Sequence, residues 1–156
     1  MKTAAASVVA ILALVPVLSG CGDSSSASAG EAKPEYLNAD GASTSPYSDA
    51  VRVGSTLYLA GNLGLDTNGK LVPGGIKAET ARTMENLKAA LEKNGSSLER
   101  IANCEVMLAD IKERDAFNEI YSTYWQPLHF PARHAFGVTG LYLGARVEIA
   151  CIAVTT

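Results

Sequence analysis

The stretch Gly144-Ala145-Arg146-Val147-Glu148-Ile149-Ala150-Cys151-Ile152-Ala153-Val154 is apolar almost throughout from Val147 onward. A β-branched apolar run of this length, introduced by a glycine turn, predicts a central strand buried on both faces. Glu148 interrupts it. A carboxylate in such a strand must be paired, hydrogen-bonded, protonated or set in a cleft. Either it pairs with Arg146 or another cation near the strand end, or it is a functional group with a perturbed proton affinity.

Working outward, Phe130-Pro131-Ala132-Arg133 leads into a second apolar run, with a predicted strand over His134–Val138. Proline stiffens that approach, so Arg133 is held near a strand start. A guanidinium so placed suits bidentate capture of a carboxylate, or else forms a salt bridge at the rim. On neighbouring strands, Arg133 and Glu148 would form one small site for an anionic substrate, one group binding and the other handling a proton or a water.

Further upstream, Ala50–Val53 and Thr56–Ala60 read as short strands around Gly54-Ser55, and Leu63–Asp66 and Lys70–Val72 flank an Asn68-Gly69 turn. Ile76, Thr80, Met84, Leu87 and Leu91 recur at helical spacing, and Asn94-Gly95 closes that helix. Ala102–Leu108 alternates as a half-buried strand. Asp110–Trp125 reads as a second helix with Phe117, Ile120, Tyr121 and Tyr124 on one side, stopped by Pro127 and Pro131. The order β-β-(β)-α-β-α-β-β predicts an α+β layer fold, a mostly antiparallel mixed sheet with two helices on one face.

Composition excludes several functions. The 156 residues carry a net charge of −3, with 47% hydrophobic residues and no clustered Lys/Arg, so no nucleic-acid partner is expected. Three cysteines are too few and too far apart for a zinc site. Cys104 and Cys151 read as small buried residues, a cross-strand disulfide being the alternative after export. His129 and His134 lack a third ligand nearby and read as surface or structural histidines.

The N-terminus reads as an address. Lys2 precedes an apolar stretch, Ala4–Leu18, too short to span a bilayer and the right size for a signal core. Leu18-Ser19-Gly20-Cys21 resembles the bacterial lipobox, which implies lipidation of Cys21 and firm anchoring by several acyl chains. Gly22 in the next position resembles the outer-membrane pattern of Gram-negative lipoproteins. The expected organisation is a signal peptide over 1–20, a lipidated Cys21 with a Ser/Ala-rich tether over 21–45, and a domain over 46–156. Such a tether has a mean span of roughly 25–30 Å.

The clamp and strand together, Phe130-Pro131-Ala132-Arg133 and Gly144–Val154, resemble the C-terminal signature of the Rid/YjgF family of enamine/imine deaminases. Pro46-Tyr47-Ser48 is similar to its opening segment, Leu57–Asn62 to its second strand, Thr83–Leu87 to its helix motif, and Val106–Asp110 to its third strand. The resemblance implies a chorismate-mutase-like fold, a homotrimer with clefts between subunits, and hydrolysis of 2-aminoacrylate-like imines to 2-keto acids and ammonia without cofactor or metal. It implies that Arg133 grips the substrate carboxylate, that Glu148 handles the attacking water, and that Tyr47, Gly61, Asn86 and Ala135 line or support the cleft. The family often has Arg-Ser-Cys where this chain has Arg133-His134-Ala135, and Ser-Gly-Gln where it has Ala60-Gly61-Asn62. The alternatives are a catalytically weak ligand-binding or chaperone-like trimer and, further off, a ribonuclease. An exported domain would meet little cytoplasmic 2-aminoacrylate, so either its imine comes from another source, such as an exported amino-acid oxidase, or the domain has become a binding module.

Overall fold

A computed structural model describes residues 32–38 and 45–156. The signal, Cys21 and most of the expected tether lie outside the described residues. The strands are β1 (Glu35–Leu37), β2 (Ala50–Val53), β3 (Thr56–Leu59), β4 (Asn62–Leu63), β5 (Ile101–Leu108), β6 (Ala132–Gly137) and β7 (Val147–Val154). The helices are α1 (Gly75–Lys93) and α2 (Arg114–Tyr121). Strand β1 falls within the stretch expected as tether. Leu37 packs against the core there, and Tyr36 stands opposite Val51, so the sheet begins earlier than composition suggested.

The sheet order is β1-β2-β3-β7-β5-β6, with β4 also paired to β7. All pairings are antiparallel except β5 with β6, which is parallel. A parallel pair needs a crossover between its strands, and α2 supplies it. Helix α1 buries Ile76, Thr80, Met84, Leu87 and Leu91, the periodic positions of the sequence. It ends where Gly95 turns left-handed (φ 75°), letting Ser96 N–H donate to the Leu91 carbonyl at 2.9 Å. The second helix is shorter than Asp110–Trp125 predicted. Single 3₁₀ turns flank α2, with Asp110 capping the first by accepting from Lys112 N–H at 3.0 Å. The two predicted segments around Asn68-Gly69 shrink to β4 and a single bridge between Leu65 and Leu71.

The core lies between the helices and one face of the sheet. Val147, Ile149, Cys151 and Ala153 of β7 are buried, while Glu148, Ala150 and Ile152 are half-buried and Val154 is exposed. The expectation of two buried faces is therefore corrected: both helices pack on one side, and the other side of the sheet is open in a single protomer. Cys104 and Cys151, directly opposite in the β5–β7 ladder, form a disulfide within the core. The alternative reading of these cysteines is the one realised.

Candidate functional site

Glu148 projects from the open face of β7. Its cross-strand neighbours are Met107 on β5 and Leu63 on β4. It lies in a cleft of about 630 Å³ with Ser45, Tyr47, Ala60, Gly61, Leu63 and Tyr142. Gly61 is required by space: a Cβ there would stand 1.9 Å from Glu148 Oε1. Burial pushes the Glu148 carboxyl above its ordinary range. Among the described residues no cation offsets this. Arg146 is taken by a two-pronged ion pair with Glu113, and its backbone N–H donates to Glu79 Oε2 at 2.8 Å. Pairing of Glu148 with Arg146, one reading of the sequence, is thus excluded.

Arg133 is built differently. It stands opposite Cys104 in the β5–β6 ladder and therefore faces the helices. Helix α2 presents Phe117, Asn118 and Tyr121 to it. Arg133 Nη2 donates to Asn118 Oδ1 at 2.9 Å. The guanidinium carbon lies 4.6 Å from the Tyr121 ring centre and 5.3 Å from that of Phe117. Cation–π contacts of this kind contribute about 0.5–2 kcal/mol each. Burial lowers the Arg133 pKa, and Arg114 adds to this while Tyr121 opposes it, yet an arginine starts so high that it stays charged. Burial also pushes the Tyr121 phenol up to about 12, so it is neutral. Asn118, Tyr121, Ser122, Phe130 and Pro131 surround Arg133 in a cleft of about 360 Å³. The remaining guanidinium donors have no partner among the described residues.

The two groups do not meet within one chain. Strand β5 lies between β6 and β7, a separation of about 10 Å in the hydrogen-bonding direction. Cys104 shares a face with both Arg133 and Cys151, while Glu148, three residues before Cys151, points to the other face. The expectation of neighbouring strands forming one site is corrected. A glycine turn leads from β6 to β7, yet the two do not pair: β6 runs parallel to β5, and β7 returns on the far side of β5.

The other expected residues divide. Tyr47 and Gly61 line the Glu148 cleft. Asn86 does not; its Nδ2 donates to the Leu63 and Leu65 carbonyls at 2.8 and 3.0 Å, bracing β4 from α1. Ala135 shares the helix-facing side of β6 with Arg133 and packs on the core rather than lining either cleft. His129 and His134 are exposed, and Cys21 lies outside the described residues. Sequence reading missed Asn118 and Tyr142. The signal for Asn118 was available: it is a polar residue flanked by Phe117 and Tyr121 on a helix packed beside the Arg133 strand.

The family profile described as Endoribonuclease L-PSP matches residues 38–155. The chain is 43% identical over 114 residues to a 2-iminobutanoate/2-iminopropanoate deaminase of Mus musculus, covering 72% of this chain and 84% of that one. Among solved structures, yeast Mmf1 is similar with a TM-score of 0.73 at 29% identity, covering 80% of this chain and 100% of the other. RidA from the Antarctic bacterium Psychrobacter sp. PAMC 21119 is similar with a TM-score of 0.67 at 33% identity, covering 80% and 98%. A family match over most of the chain and a relative 43% identical to it agree with the fold, and the chain belongs to the Endoribonuclease L-PSP family, the Rid/YjgF family that its signature residues resemble.

Proposed function

We propose that the chain is an imine and enamine deaminase, acting as a homotrimer anchored in the cell envelope. The observation that carries this reading is Glu148: a desolvated carboxylate with no counter-ion among the described residues, in a cleft where only glycine fits against it. Such a group is poised to accept a proton from water. Relatives named for deamination of 2-iminobutanoate and 2-iminopropanoate supply the reaction class. In it, Arg133 holds the substrate carboxylate. Water adds to the C=N carbon while Glu148 takes its proton. Glu148 returns that proton to nitrogen, giving a carbinolamine, and then carries the carbinolamine hydroxyl proton to the amine as the C–N bond breaks, so that a 2-keto acid and ammonia leave. An enamine enters after tautomerising to the imine.

Because Arg133 and Glu148 lie on opposite faces, a complete site needs Arg133 of one subunit and Glu148 of another. A ring of three heterologous interfaces meets this requirement, and the open sheet face gives it a surface to close on. RNA cleavage, which the family description names, finds little support in an acidic chain without a basic cluster. For location, the support is the signal and lipobox-like Cys21 in sequence, together with the Cys104–Cys151 disulfide, a feature of oxidising compartments. Gly22 favours the outer membrane in a Gram-negative cell, with the domain on the periplasmic side.

The test is subunit mixing. Arg133→Ala and Glu148→Gln chains, each strongly impaired in kcat/KM, are unfolded together, refolded and assayed at low concentrations of imines made in situ by an L-amino-acid oxidase, semicarbazide trapping what is not hydrolysed. Shared clefts predict that about a quarter of sites are restored at equal mixing, from random assembly of a three-membered ring. No recovery would refute the shared cleft, and an inactive wild type would refute the deaminase itself. For the anchor, Cys21→Ser should move the chain from the detergent phase to the aqueous phase; no change would refute lipidation.

A further inference from the structure

We propose that Tyr142 makes this chain selective for 2-imino acids with large apolar side chains, an inference that rests on the deaminase reading. Apart from Glu148 and Ser45, the lining of the Glu148 cleft is dominated by carbon: Tyr47, Ala60, Leu63 and Tyr142 with Gly61. The cleft has about 630 Å³ in one protomer, before a second subunit closes on it, so its lining rather than its volume bears on the ligand; the side chain of iminopropanoate is one methyl group.

Tyr142 is the residue that the backbone holds in an unusual way. The next two residues are both left-handed, Leu143 at φ 57° and Gly144 at φ 75°. A leucine rarely adopts that region, and such outliers persist where surrounding structure over-determines them. Here the turn is closed by Gly144 N–H donating to the Leu141 carbonyl and Ala145 N–H to the Tyr142 carbonyl, each at 3.1 Å. Ala145 is fully buried and leads straight into β7, so the turn is anchored to the strand that carries Glu148. Tyr142 itself is 70% exposed. A phenol ring on a fixed turn at the mouth of the carboxylate's cleft offers its face to an apolar ligand group. The wall that Tyr142, Tyr47 and Leu63 form is out of proportion to a methyl group and suits a branched aliphatic or aromatic side chain. Imines of that kind arise by two-electron oxidation of an amino acid at Cα. β-Elimination leaves only one- or two-carbon side chains, so the supplying reaction class is an amino-acid oxidation.

The test compares hydrolysis of imines generated from L-phenylalanine, L-leucine and L-alanine by the full-length wild type, Tyr142→Ala and Tyr142→Phe. The wild type should prefer the phenylalanine and leucine imines. Tyr142→Ala should cut the ratio of kcat/KM for the phenylalanine imine over the alanine imine by about tenfold, the scale on which apolar pockets discriminate. Tyr142→Phe should keep that ratio, because the ring and not the hydroxyl forms the wall. A wild type without the preference, or an unchanged ratio in Tyr142→Ala, overturns this inference while leaving the deaminase intact. A wild type that hydrolyses none of the imines overturns both.

Discussion

The two faces of the sheet hold their functional charges in opposite ways. On the helix side, Arg133 is embraced: Asn118 fixes one nitrogen, and Phe117 and Tyr121 cover its plane. On the open side, Glu148 has no partner among the described residues and is limited only by the closeness of Gly61. On the mechanism proposed above, the contrast follows from what each group would do. A binding cation can be pre-positioned because its charge does not change in the reaction. A proton-transferring carboxylate must keep a raised proton affinity, and a counter-ion would abolish it.

Removing the unpartnered side should have the largest effect. Glu148→Gln is expected to lower kcat by about 10²–10⁴-fold, the usual contribution of a positioned general base. Arg133→Ala should instead act mainly on KM, lowering kcat/KM by about 100-fold through loss of a charge-assisted bidentate contact. Steady-state kinetics on both variants separates the two roles, and equal losses in kcat would erase the contrast drawn here. The pH profile carries the same information. Activity needs the ionised carboxylate, so the acid limb of kcat/KM should lie above the usual glutamate range and vanish in Glu148→Gln. The stability effect has the opposite sign. The folded state holds this proton more tightly than the unfolded state, so stability falls as pH rises through the raised pKa. Glu148→Gln should therefore melt slightly higher than the wild type at neutral pH, as calorimetry can measure.

Crowding the open side comes next. Gly61→Ala puts a methyl group where Glu148 Oε1 lies, forcing the carboxylate into another rotamer. A displacement of about 1 Å at a reacting group costs about 100-fold in rate. Because the far end of a side chain is what must move, the melting temperature should change little by comparison. A smaller loss falls on the embraced side. Asn118→Ala removes a single hydrogen bond to Arg133 and should raise KM about tenfold with kcat retained, the scale of one hydrogen bond to a charged group. A loss confined to kcat would remove Asn118 from the positioning role.

The smallest effect on chemistry belongs to the disulfide beside Arg133. Cys104 and Cys151 are 47 residues apart in sequence. Closing a loop of that length stabilises the fold by about 4 kcal/mol in the chain-entropy account. A Cys104→Ala/Cys151→Ala chain should lose stability on that scale in denaturant titration while turning over imines at the wild-type rate. Unchanged stability would show that the bond adds nothing beyond what two packed alanines provide.

Much of this was legible in the residues. The 3.6-residue recurrence from Ile76 to Leu91 marked α1, because one apolar face must meet a sheet. Glu148 and Arg133 stood out because charge in or beside an apolar run needs a reason. Asn86 was expected to line or support the cleft, and it braces β4 from α1; nothing local distinguishes an amide that braces a strand from one that meets a ligand. Tyr142 was invisible for a similar reason. An exposed tyrosine in a glycine-bounded loop carries no signal until the fold puts it in one cleft with Glu148.

Local pattern determined where the helices and most strands lie, which faces of each are apolar, and which two charges matter, because these depend on side-chain periods that the chain carries within itself. Only the tertiary structure decided that β6 pairs parallel with β5 and that β7 returns on its other side. Strand pairing is a contest among distant segments of similar apolarity, and no residue carries the name of its partner strand. That one choice of partner joins Cys104 to Cys151 and sets Arg133 and Glu148 on opposite faces of the sheet.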